Sequence, residues 1–168
     1  MAQPKDSDKG FVPFDVGRAG ATGSVEVHVS WLSRNKPREV ALMIKPPKEG
    51  WSLPDGTYLG HKYADLMESL TGLRTDEVQA NTRIPKPHKG ITFHVVWQEK
   101  ESGKILREET VTRDDYHGRV KVGFGYAFTL SNRMFLTPGK YVVTVTALED
   151  DTRFDGTFRT GLVAGYNS

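Results

Sequence analysis

The residues best equipped for chemistry stand together at Arg113-Asp114-Asp115-Tyr116-His117-Gly118-Arg119. Asp114, Asp115, Tyr116 and His117 bring two carboxylates, a phenol and an imidazole into one loop, a set suited to cation coordination or proton transfer. The same composition describes an ordinary polar turn, since short acids bond their own backbone and flanking arginines neutralise them. No calcium-loop spacing accompanies the acids, so a solvated turn is the expectation and no metal is assigned. A metal-dependent enzyme working through Asp114 to His117 is the alternative. Asp150, Asp151 and Asp155, ahead of Gly156, also lack alternating ligand spacing and are expected to form a solvated hairpin.

The remaining chemistry is sparse. His28, His61, His88, His94 and His117 contain no pair at i, i+2 or i, i+4, and no zincin motif is present. The absence of cysteine excludes thiolate zinc sites, disulfides and a cysteine nucleophile. No serine occupies a Gly-x-Ser-x-Gly elbow. The sequence therefore offers no positive support for catalysis, and neither a catalytic residue nor a cofactor is assigned. Two basic groups, Arg34, Lys36 and Arg38, then Arg83, Lys86 and Lys89, lack interleaved aromatics and predict solvated loops, not a nucleic-acid surface. Among the tryptophans, Trp97 continues an apolar strand face and belongs in the core. Trp31 and Trp51 have two readings: an exposed platform for a sugar ring or peptide, or contacts that pack a helix.

What must position these groups is mostly strand. Period-2 alternation predicts eight of them, at about 11–16, 22–30, 39–44, 90–99, 104–112, 119–130, 140–148 and 156–163. Val25, Val27 and Val29 share one face, as do Ile91, Phe93, Val95 and Trp97, and then Tyr141, Val143, Val145 and Ala147. Glu101-Ser102-Gly103 marks a hairpin, and Arg107, Glu108 and Glu109 give the returning strand the charge of an edge. Helical spacing interrupts at about 58–80, where Tyr63, Leu66, Met67 and Leu70 fall at i, i+3, i+4 and i+7. Gly72 is a candidate cap, and Thr75 a candidate start of a second short turn. Such a helix is expected to pack across an open end or edge of a sandwich. Pro138-Gly139 suits a type II turn, and Tyr141 just beyond it suits the tyrosine corner of immunoglobulin-like sandwiches. The predicted fold is mainly β: an antiparallel immunoglobulin-like β-sandwich with one short helical insertion.

Composition sets the bounds on function. The chain has 168 residues with 23 Lys plus Arg against 21 Asp plus Glu, so no strong charge imbalance demands nucleic acid or a membrane. Residues 1–10 are expected to form a flexible polar tether and 11–168 a single domain. No apolar run approaches the roughly 20 residues of a spanning helix.

Pro13-Phe14-Asp15-Val16-Gly17-Arg18-Ala19-Gly20-Ala21, the Val25, Val27, Val29 strand after it and the Pro138-Gly139-Lys140-Tyr141 turn carry a family likeness. The sequence resembles a family of uncharacterised secreted, lipoprotein-type β-sandwich domains from β-proteobacteria. The resemblance covers most of the folded part but rests on strand and turn signatures. It implies a β-rich fold and a cell-envelope or secreted location, and it transfers no activity or site residue. The lipid-acceptor cysteine and leader of that family are missing here, as expected of a mature domain.

The expectation is thus a non-enzymatic envelope protein: an interaction or surface-exposed, antigen-like domain, monomeric, binding a protein or glycan. Any membrane attachment is expected through an N-terminal lipid. Trp31, Trp51, Asp114, Asp115, Tyr116 and His117 are the candidate binding residues. A purely structural surface domain without a dedicated ligand is the remaining alternative.

Overall fold

The computed structural model describes residues 10–71, 90–113, 126–131 and 133–166. The expected tether, the Gly72 cap, the Thr75 turn, the second basic group, the Asp114 to His117 loop and the 119–125 part of the sixth strand lie outside them.

Eight strands form where alternation predicts them: β1 (Val12–Pro13), β2 (Thr22–Val29), β3 (Arg38–Lys45), β4 (Ile91–Glu99), β5 (Ile105–Arg113), β6 (Tyr126–Thr129), β7 (Gly139–Ala147) and β8 (Arg159–Tyr166). Every ladder is antiparallel. The pairs β1–β8, β2–β7, β3–β6 and β4–β5 are nested, like one long hairpin whose tip is the β4–β5 turn. Rolling that hairpin lays β8 on β3 and β7 on β4, giving two sheets ordered β1-β8-β3-β6 and β2-β7-β4-β5. The protein is an antiparallel β-sandwich with a helical insertion. It shares the two Greek-key sheets of immunoglobulin-like sandwiches, and its eight strands are ordered as a jelly roll.

The alternating faces explain the packing. Val25, Val27 and Val29, with Phe93, Val95, Trp97, Val143 and Val145 beside them, are buried against Val40, Leu42, Ile44 and Leu162 of the other sheet. The outer face of the β2-β7-β4-β5 sheet is polar and laddered, with Thr22 meeting Thr146 at 3.3 Å, Ser24 meeting Thr144 at 3.0 Å and Thr92 meeting Thr112 at 3.0 Å. β5 is an edge strand, as its charges predict. Register opposite Trp97 and Val95 turns Arg107 and Glu109 to the inner side of that edge.

β3 departs from simple alternation, because Ala41, Met43 and Lys45 are buried on its outer face as well. Phe11 supplies the cover. Its ring packs beside Met43 and Val163, under the Lys45 ammonium at 4.7 Å. This is possible because residue 161 is glycine: a Cβ there would lie 2.5 Å from the Phe11 ring and 2.6 Å from the Val12 carbonyl. β1 is shorter than alternation predicts, since the Val16 N–H turns back to the Phe14 carbonyl at 3.1 Å and ends the ladder.

The helix α1 (Gly60–Thr71) buries Tyr63, Leu66, Met67 and Leu70, the predicted stripe. It closes the end of the sandwich where β3 stops. The Tyr63 hydroxyl donates to the Ile44 carbonyl at 3.0 Å, and its ring meets Trp51 and Phe158 edge-on, both at 5.1 Å. The β7–β8 loop holds the helix from outside. Arg153 clasps Asp151 and donates to the Ser69 carbonyl at 2.7 Å, satisfying one of the last carbonyls of the helix. Lys62 reaches Asp155 at 2.6 Å and Thr157 at 2.8 Å.

Hydrogen bonds from Lys62 and then Thr157 hold the Asp155 carboxyl below the ordinary aspartate range. A depressed pKa contributes stability above the unfolded value, near 4, and loses it as the pH falls through that range. The pair is about half exposed, so solvent screens it. Asp155→Asn should therefore cost at most ~1 kcal/mol at neutral pH. The gap from the parent should close in urea titrations repeated below pH 4; a gap that widens there would contradict the assignment.

Tyr141 makes the anticipated corner. Its hydroxyl donates to the Thr137 carbonyl at 2.6 Å and lies 3.0 Å from the Thr137 hydroxyl. Tyr141→Phe is expected to lose about 1 kcal/mol, as Thr137 is exposed and its carbonyl can turn to water. An unchanged unfolding midpoint would count against the corner bond. The preceding turn is not type II: Gly139 has φ 157°, where that turn needs about +80° at this position. Gly139 already belongs to the ladder, opposite Val29, and is held extended by it.

Candidate functional site

The two ends of the sandwich are built differently. At the helix end, α1 and the loop from Leu148 to Phe158 cover the core. At the opposite end β2 and β4 finish, β3, β5 and β7 begin, and β8 finishes, as the registers Val29 with Gly139, Glu99 with Tyr141 and Arg38 with Tyr166 require. Short loops alone span this end among the described residues.

Five of the seven large apolar side chains exposed among the described residues lie there: Trp31 at 67% exposure, Leu32 at 93%, Phe135 at 72%, Ile105 at 54% and Leu106 at 36%. Local bonding explains why they stand outward. Trp31–Ser33 forms a single 3-10 turn, pinned by the Ser30 N–H to the Ser33 hydroxyl at 3.2 Å and by the two serine hydroxyls at 2.8 Å. None of the three residues of the turn is buried. Phe135 stands between Met134 and Leu136, which both point into the core, so alternation sends it out.

Arg38 joins these two loops. Its backbone N–H donates to the Met134 carbonyl at 2.8 Å and its carbonyl accepts from the Met134 N–H at 2.9 Å. Its guanidinium donates to the Ser33 hydroxyl at 2.8 Å. The sequence places Arg38 in a solvated basic loop; the structure corrects this, with Arg38 opening β3 and only 2% exposed. The correction has a physical cause: the side chain finds the Ser33 hydroxyl and the Ser33 carbonyl as acceptors inside the joint, which offset part of the cost of its burial. Arg34 lies over the Trp31 ring at 4.4 Å and donates to the Trp31 carbonyl. Arg133 pairs with Glu39 at 3.2 Å. Arg34, Lys36, Arg38 and Arg133 thus face Glu39 alone within the two loops and their flanks, while the neighbouring β4–β5 hairpin carries charges of both signs.

Trp31 is accordingly presented to solvent, whereas Trp51 is half-buried against Tyr63 at the helix end. The length of β3, about 25 Å, separates the ends, so the two tryptophans form no common platform. Asp114, Asp115, Tyr116 and His117 lie outside the described residues. His28 and His94 sit on the outer face of their sheet, with the His94 ring 2.8 Å from Glu108, and His61 is exposed beside Tyr58. Asp150 accepts from the Ala19 N–H at 2.9 Å, so it, Asp151 and Asp155 are each engaged in tying loops together. No cluster of three or more histidine, aspartate or glutamate side chains suited to a metal occurs among the described residues. Sequence reasoning missed Leu32 and Phe135. The signal for Phe135 was present, as an apolar residue out of phase with the apolar residues on either side.

No family model matches this chain, and no curated protein resembles it in sequence. A crystal structure of a protein from Sulfurospirillum deleyianum is similar over 94% of this chain and 96% of its own, with a TM-score of 0.57 and 11% identity. At that identity the likeness concerns the fold alone, a β-sandwich.

Proposed function

We propose that the protein is a non-enzymatic interaction domain of the cell envelope, and that it engages its partner through the loops opposite the helix. One observation carries the docking surface: five of the seven large apolar side chains exposed among the described residues gather at that end, three of them on two loops that Arg38 locks together. Loops fixed to a rigid sandwich are a common place for binding residues. Location in the envelope is supported by the resemblance of the opening strand and the Pro138-Gly139-Lys140-Tyr141 turn to lipoprotein-type domains. A sugar-stacking role is less well supported. Arg34 already covers one face of Trp31, and Trp51 is at the other end of the molecule.

Photo-crosslinking in the natural host, followed by fractionation, tests both parts. A photoreactive residue at position 32 should give adducts in the envelope fraction that the same residue at position 58, exposed at the helix end, does not give. Equal yields at the two positions would remove the docking surface. Recovery in the cytosol with an unmodified N-terminus would remove the envelope assignment.

A further inference from the structure

We infer that the partner of this end is the surface of an anionic lipid bilayer, with Trp31, Leu32 and Phe135 entering the interfacial region and the nearby cations meeting the headgroups. The inference rests on the docking surface proposed above and names what docks.

Shape is the first argument. Leu32 is 93% exposed and Phe135 72%, so both project from the body and neither lines a groove. A protein partner would need a preformed pocket around each tip, whereas fluid acyl chains surround any projecting side chain without one. Trp31 suits the boundary itself, since indole rings favour the headgroup level of a membrane.

Charge is the second argument. On and beside the two loops that carry Trp31, Leu32 and Phe135, the exposed cations Arg34, Lys36 and Arg133 outnumber Glu39, while Arg38 is buried in the joint and the neighbouring β4–β5 hairpin carries charges of both signs. Arg34 is stacked on Trp31, so a charge travels with the ring to the interface. Apolar tips backed by cations complement a surface that is apolar inside and negatively charged at its face.

The test uses purified protein with phosphatidylcholine vesicles, with and without phosphatidylglycerol. Sedimentation with the anionic vesicles is expected, weakening as salt is added. Trp97 is buried and Trp51 half-buried, so a blue shift of the tryptophan emission on binding should vanish in Trp31→Phe. Leu32→Ser combined with Phe135→Ser should weaken vesicle binding by about tenfold or more. Arg34→Gln and Lys36→Gln should each cost roughly fivefold. All these side chains are exposed, so each variant should keep the parent's unfolding midpoint, which separates lost binding from lost fold. Failure to sediment with anionic vesicles at low salt would overturn the inference, as would binding that survives Leu32→Ser with Phe135→Ser. If vesicles fail while position 32 still crosslinks to a protein in the host, the bilayer is wrong and the docking surface stands. If both fail, the docking surface falls too.

Discussion

Replacing Trp97 with alanine should destabilise the protein by about 3–5 kcal/mol, among the largest losses expected from any side chain in the core. Trp97 is fully buried on the inner face of β4, in register with Val143 of β7 and Arg107 of β5. Removing the indole leaves a cavity that two hydrogen-bonded sheets cannot collapse around. Trp97→Phe is the informative companion. The indole Nε1 is buried and makes no hydrogen bond among the described residues. An unpaired buried donor costs roughly 1–3 kcal/mol, so phenylalanine loses volume but also relieves that cost. The two effects oppose each other, and Trp97→Phe should fall well short of the alanine variant in urea unfolding. A phenylalanine variant as unstable as the alanine one would show that the N–H is paired after all.

Tyr63→Ala should cost about 3–5 kcal/mol as well, but with a different signature. Tyr63 ties α1 to the sandwich in three ways: the bond to the Ile44 carbonyl, the edge contact with Trp51 and the edge contact with Phe158. Its loss should release the helix first, because Leu66, Met67 and Leu70 dock on the same end of the core. Hydrogen exchange should then show α1 amides losing protection well before those of β4 and β7. Uniform loss across helix and sheets would mean that the helix is not a separate layer. Tyr63→Phe keeps both ring contacts and removes only the buried hydroxyl bond, so about 1–3 kcal/mol is expected. Tyr63 lies at the helix end, away from Trp31, so vesicle binding by the surviving folded fraction of its variants should be unchanged.

The fold was largely legible in the residues. Alternation fixes which side of a strand is buried with no knowledge of its neighbours, because successive side chains point to opposite faces. Val25, Val27 and Val29, the Phe93 to Trp97 stripe and the Tyr63 to Leu70 spacing therefore read correctly in isolation. The corner bond of Tyr141 was legible for the same reason, being made only four residues away. The double burial of β3 was not. Ala41, Met43 and Lys45 are covered by Phe11, thirty or more residues distant, and only because residue 161 lacks a side chain.

The candidate site divides along the same line. Trp31 stood out by residue type and Leu32 is its neighbour in the chain, whereas its separation from Trp51 and its grouping with Phe135 depend on how the strands are arranged. By itself the sequence determined the local choices: strands, one amphipathic helix, turns, an edge strand marked by charge, and the absence of thiol chemistry. Only the tertiary structure decided the strand order β1-β8-β3-β6 and β2-β7-β4-β5, the buried place of Arg38 and the gathering of apolar tips at one end. The physical reason is range. Backbone dihedrals and side-chain alternation act within a few residues, while the pairing of distant strands is a choice among many registers, settled by the free energy of the whole core.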